Sequence, residues 1–236
     1  MIEALEVRIL GIETSSRRGT VALTERGRPI LALSHDEPGA HAERMVRLVR
    51  EAMDQAGWSR HSLDRLGVGI GPGSFTGIRV GIALGHGIAM GLDRPLVGVE
   101  SLRAMARAVP ASCPGLRCPL VDGRRGEVFW AAYESDGTTR VHPRAVARGS
   151  ALERLAELCP GTRTLVGEVV AELGERPGFR DPGADLPHAT WIALLAGESA
   201  VLDGTVVPLY VRDVDATRPN LAPNPLGSAL SGDKRQ

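Results

Sequence analysis

Short apolar runs bounded by turn formers alternate with longer stretches of helical periodicity along the chain. Val7 to Ile12 has the pattern of a buried strand and ends at the turn cluster Glu13-Thr14-Ser15-Ser16. After Gly19, Thr20 to Thr24 predicts a second strand, and Gly27 turns the chain into a third, Pro29 to Ser34. From Ala42 to Ala56, Met45, Val46, Leu48, Val49, Ala52, Met53 and Ala56 recur at helical spacing, with Gly57 as C-cap. Arg65 to Ile70 predicts another strand. The glycine-rich loop Gly71-Pro72-Gly73-Ser74-Phe75-Thr76-Gly77 follows, then a small-residue helix from Ile78 to Leu92 and a strand from Leu96 to Val99.

A proline-rich link, Pro110 to Pro119, leads into a segment that repeats the opening. Leu120 to Phe129 runs apolar strand, carboxylate Asp122, Arg124-Arg125-Gly126, strand; Gly11 to Ala22 runs apolar strand, carboxylate Glu13, Arg17-Arg18-Gly19, strand. One copy is two residues shorter. This repeat, against chance in so short a match, predicts an α/β protein of two lobes on one plan, 1–107 and 108–212. A helix from Ala151 to Leu158, a strand near Thr164 to Val166 and a helix at 190–200 complete the second lobe, and that last helix is a candidate to pack back on the first. From 213 to 236 the chain is rich in Pro, Asn, Gly and Ser, and a disordered tail is expected.

The 236 residues carry a net charge of +0, so no global field draws the chain to nucleic acid or membrane. No apolar run reaches the roughly 20 residues of a membrane span, and the amino terminus lacks a secretory pattern. A cytoplasmic location is expected. Lys234 is the only lysine; Walker loops, kinase lysines and Schiff-base chemistry all need one inside the fold. Cys113, Cys118 and Cys159 show no zinc spacing and read as inert thiols, and the six histidines include no pair at ligand spacing. His41-Ala42-Glu43 opens the first helix, where Glu43 suits the dipole.

The loop from Gly71 to Gly77 supports two readings: free N–H groups that receive an anion, or glycines that permit a tight turn and close helix–sheet packing. Arg79, a cation in the first turn of a helix, predicts a carboxylate or phosphate nearby. Gly81 and Gly85 share one helix face, as do Gly87 and Gly91, and each glycine costs about 0.8–1 kcal/mol in a helix interior. Packing within the lobe and the approach of a partner helix both explain them. Glu13 and Asp122 either flank a magnesium nucleotide or are turn residues.

Ile9 to Ser15, Gly71 to Arg79, Pro95 to Leu102, Asp122 to Tyr133 and Pro208-Leu209-Tyr210-Val211-Arg212 resemble, in order and spacing, the bacterial TsaB (YeaZ) proteins. The G-P-G-S-F-T-G-I-R loop is the specific part. The resemblance implies an actin-like ATPase fold (ASKHA, ribonuclease H-like) in two duplicated lobes, and a part in making threonylcarbamoyladenosine at position 37 of transfer RNA. In that family the paralogue TsaD performs the transfer, TsaE is the ATPase, and TsaB is a required, non-catalytic binding subunit that forms a homodimer when alone and meets tRNA through the complex. Helices Ala42–Ala56 and Ile78–Leu92 are then the docking face for TsaD, with Met45, Leu48, Val49, Ile78, Gly81, Ile82 and Gly85 as contacts. ATP or ADP is expected at most at the shared interface, near Gly71, Gly73, Ser74, Thr76 and Arg124, and no cofactor is expected to bind tightly. TsaD itself carries H-x-x-x-H after the strand equivalent to Leu96–Val99; Ser101 and Met105 stand in those places here, and neither suits iron or zinc. Where the family reads D-A-R-x-G-E-V-Y, this chain has Phe129 in place of the tyrosine. The alternative is an actin-like kinase or ATPase using Glu13, Asp122 and the glycine loop, which no lysine inside the fold and no obvious general base supports. A metalloprotease lacks a ligand set.

Overall fold

Two sheets of the same design organise the chain in the computed structural model, which describes residues 7–37, 39–175, 178–179, 181–201 and 205–212. The tail expected to be disordered from 213 lies outside the described residues. Strands β1 (Arg8–Glu13), β2 (Gly19–Glu25), β3 (Arg28–His35), β4 (Arg65–Gly69) and β5 (Leu96–Val99) form one sheet in the order β3-β2-β1-β4-β5. Strands β6 (Leu116–Arg124), β7 (Glu127–Tyr133), β8 (Thr139–Ala147) and β9 (Arg163–Val166) form the other in the order β8-β7-β6-β9. In each, the first three strands are an antiparallel meander and the fourth pairs parallel with the first. The repeated sequence element falls on β1–β2 and β6–β7.

Five layers result. Helices α1 (His41–Gln55) and α2 (Phe75–Leu92) cover one face of the first sheet, where Leu10, Ile12, Val21, Leu23, Leu66 and Val68 meet Met45, Met53, Ile78 and Ile82. Alternation along β1 turns Ile9 to the opposite face, against Ile192, Ala193 and Ala196 of α6 (Ala189–Glu198). Helix α3 (Ser101–Ala108) lies between α6 and the second sheet, burying Leu102, Met105 and Ala106 on Val121, Phe129 and Tyr133. Helix α4 (Ala151–Leu158) closes the far face over Cys118, Leu120 and Trp130, and a short helix, α5 (Pro182–Asp185), precedes α6. Two glycines set the depth of α6: a Cβ on Gly11 would stand 2.3 Å from the Ala189 carbonyl oxygen, and one on Gly67 would stand 2.7 Å from the Ala196 Cβ.

Helix α2 begins at Phe75, one turn earlier than its apolar periodicity predicts, because the Ser74 hydroxyl accepts the Gly77 N–H at 3.2 Å and caps it. Its 18 residues have a mean hydropathy of 1.3, enough by length and composition to cross a membrane, although one side is packed on the first sheet. Helix α3 and strand β8 are among the elements that escape the periodicity. Helix α3 is only eight residues long, too short for a repeating pattern to stand out. Strand β8 is a sheet edge, where Pro143 is tolerated and few positions are buried. Cys118 and Cys159 are buried free thiols, and burial pushes the Cys118 thiol up to about 12.

Candidate functional site

The loop from Gly71 to Ser74 is fastened to the ends of β1 and α3 by its own backbone. Gly71 N–H donates to Ser101 Oγ at 3.2 Å, and the Gly71 carbonyl accepts the Ser101 N–H at 2.8 Å. Ser74 N–H donates to the Ser15 carbonyl at 2.6 Å. A Cβ on Gly73 would lie 2.2 Å from that same carbonyl oxygen, and one on Gly71, whose φ is +95°, would lie 2.5 Å from Ile78 Cδ1. Close packing therefore accounts for both glycines. This corrects the nucleotide expectation for Gly71, which is buried with both backbone groups engaged, and for Thr76, which is exposed and is not among the residues lining the cleft between the lobes.

Gly73, Ser74 and Arg124 do converge on that cleft, of about 250 Å³, which Ser15, Arg17, Asp122, Arg148 and Glu168 also line. Arg17 of the first lobe pairs with Glu168 of the second at 3.3 Å. Asp122 accepts from Arg148 at 2.7 Å, and the Ser15 hydroxyl is buried without a partner among the described residues. Glu13 is not in the cleft. Wholly buried, it accepts the Ser101 hydroxyl at 2.7 Å and the Ser15 N–H at 2.6 Å, and desolvation pushes its carboxyl above the ordinary range. The two carboxylates do not face each other across a metal-nucleotide site.

The β6–β7 turn bears its arginines in an uncommon conformation: Arg124 and Arg125 have φ of 63° and 51°, where Asn-Gly is usual. Arg212 holds this turn by donating to the Gly123 and Arg124 carbonyls and to Glu127, and lies 5.0 Å over the Phe129 ring. The same strap is pinned to the first lobe by Leu209 N–H on the Ile70 carbonyl at 2.8 Å. Arg79 finds its partner here. Its guanidinium lies 3.7 Å over Phe75 and its Nε donates to the Tyr210 hydroxyl at 2.9 Å, while Phe75 and Tyr210 stack at 5.4 Å. Aromatic faces and a hydroxyl take the place of the expected anion.

The expected docking face is rotated on α2. Gly81 and Gly85 are buried: a Cβ on Gly81 would stand 2.2 Å from Thr14 Oγ1, and one on Gly85 would stand 3.1 Å from Leu96 Cδ1. Met45, Ile78 and Ile82 are likewise core residues, and Leu48 and Val49 pack partly against that core. The second pair, Gly87 and Gly91, faces open space, with nothing within 4 Å of an added Cβ. These two glycines, with Leu84 and Ile88, wall one side of a groove of about 690 Å³ whose other side is Val46, Val49 and Met53 of α1. Val46 is 55% exposed. Arg50, Asp54, Arg60 and His61 supply the groove's polar lining.

Residues 38–187 match the family profile of TsaD, the tRNA N6-adenosine threonylcarbamoyltransferase. The tRNA threonylcarbamoyladenosine biosynthesis protein TsaB of Escherichia coli is 30% identical over 223 residues, 88% of this chain and 95% of the relative. The tRNA N6-adenosine threonylcarbamoyltransferase of Sorangium cellulosum is also 30% identical, over 86% of this chain but 59% of its own length. Among solved structures, YeaZ from Pseudomonas aeruginosa superposes with a TM-score of 0.70 at 28% identity, covering 86% of this chain and 99% of that one.

Proposed function

This chain belongs to the TsaB (YeaZ) family of tRNA threonylcarbamoyladenosine biosynthesis proteins, and from that premise we propose that it acts as a binding subunit that docks TsaD and performs no chemical step itself. The α1–α2 groove is the observation that carries this reading. It combines the exposed Val46 and the half-buried Leu84 and Ile88 with two glycines one helical turn apart, which let a partner helix approach the α2 backbone closely. Ser101 and Met105, at the positions of the transferase's expected histidines, support it: the Ser101 hydroxyl is committed to Glu13, and Met105 is fully buried. Alone, the chain covers the same face with a second copy, so homodimer and complex compete. TsaE and tRNA join through the complex. ATP or ADP binds at the seam with TsaD, beside Ser74 and Arg124. The cleft's 250 Å³ falls below the roughly 300–1,000 Å³ usual for small-molecule sites, so the nucleotide needs a wall from the partner.

Size-exclusion of the purified chain mixed with TsaD tests this. Gly87→Leu is expected to abolish the complex while the monomer melts at no lower a temperature; full complex from that variant refutes the assigned face.

A further inference from the structure

Among the described residues, Arg117, on β6, carries a buried charge with no ion-pair partner. It is 4% exposed; among the described residues its Nε has no hydrogen-bond partner, and its side chain makes one long hydrogen bond, from Nη1 to the Ala106 carbonyl at 3.5 Å. No carboxylate stands within ion-pair range of it among the described residues. Guanidinium keeps its proton in proteins, and a buried, unpaired cation is strongly unfavourable unless something supplies the missing acceptors. Burial, followed by the charge of Arg107, lowers its pKa, which is the direction expected of a cation without a counter-charge.

The surroundings indicate what the acceptor is. Arg117 lines a cavity of about 550 Å³ at the junction of α3, α6 and the second sheet, with Arg103 and Arg107, one helical turn apart on α3, at its edge. The acidic groups there are largely occupied or outward. Glu198 pairs with Arg107 at 3.3 Å, Asp136 accepts the Thr138 N–H at 2.8 Å, and Glu134 is exposed. Among the described residues no carboxylate forms an ion pair with the buried Arg117 or with the exposed Arg103, and Trp191 and Leu195 form an apolar wall beside them. We propose that this cavity is a binding site for a phosphate-bearing small molecule, its dianion received by Arg117 and Arg103 and its body lying against Trp191. A guanidinium donates charge-assisted hydrogen bonds to phosphate oxygens, and the volume lies within the range of small-molecule sites. The site is at the start of β6, and the Asp122 cleft is at its end, so it is a separate cavity.

The test uses the full chain with inorganic pyrophosphate as probe, at ionic strength held constant with sodium chloride. Saturable quenching of Trp191 fluorescence is expected, absent in Trp191→Phe, together with a rise in melting temperature that follows ligand concentration. Arg117→Met, which removes the charge and keeps the volume, is expected to fold and to bind at least about tenfold more weakly, as loss of a charge-assisted bond implies. Arg103→Gln, at an exposed position, gives the same readout should the core variant fail to fold. No saturable response in the natural chain, equal affinity in the folded variants, or an equal response to citrate refutes the site. Binding to TsaD involves the other face of the first lobe and serves as the independent control.

Discussion

Alanine at Gly81 would set its Cβ 2.2 Å from Thr14 Oγ1, whose hydroxyl already donates to the Gly77 carbonyl at 2.8 Å. Either Thr14 rotates and abandons that bond, or α2 lifts from β1. Overpacking of this kind costs about 1–3 kcal/mol, and the lost hydrogen bond about 1 kcal/mol more. Higher helix propensity returns about 1 kcal/mol, so Gly81→Ala is expected to lose about 1–3 kcal/mol net. Gly87→Ala meets nothing within 4 Å and keeps the whole propensity gain. The two variants, six residues apart on one helix, should therefore differ by about 2–4 kcal/mol, or on the order of 10 °C in Tm for a chain this size. Thermal melts followed by circular dichroism, checked by urea midpoints, measure the gap. Equal melting temperatures, or the reverse order, would mean that Gly87 and not Gly81 faces the sheet, and the groove with it would be misassigned.

The buried Glu13 predicts a pH dependence. Its folded pKa is raised, so its contribution is fully present below the unfolded carboxylate value of 4.5 and is lost as pH rises through the folded pKa, because the unfolded chain ionises first. Glu13→Gln should flatten that decline in a series of urea midpoints against pH, and identical slopes for the two proteins would count against the burial argument. Removing the Ser101 hydroxyl leaves Gly71 N–H and Glu13 each short of a partner; Ser101→Ala should cost about 1–3 kcal/mol by chemical unfolding, and a loss near zero would show that neither bond matters. Tyr210→Ala takes away the stack on Phe75 and the bond from Arg79, and faster hydrogen exchange at 205–212 is expected, with a stability loss of about 1 kcal/mol; unchanged exchange would show the strap to be held elsewhere.

Much of this architecture is legible in one dimension. Short apolar runs and period-3.6 patterns, punctuated by Gly27, Gly57 and the loop at Gly71, mark the strands and helices of the first lobe, and the repeated carboxylate-Arg-Arg-Gly element anticipates the matching strand orders of the two sheets. Periodicity fixes angles between residues on one helix, however, and not the direction that helix faces. Gly81 and Gly85 form the same i, i+4 pair as Gly87 and Gly91, and at about 100° per residue the pairs point to different sides. Only packing on β1, β4 and β5 decided that the first pair is buried and the second open. Arg79 and Arg117 teach the same lesson about charge. A sequence shows a cation; what lies beside it, Tyr210 from the far end of the chain or the wall of a cavity shared with α6, depends on contacts between residues remote in sequence. Local preference determined the elements of this protein. Long-range packing chose which of their faces meet solvent, a partner or each other, because burial is a property of the assembled layers and of no segment alone.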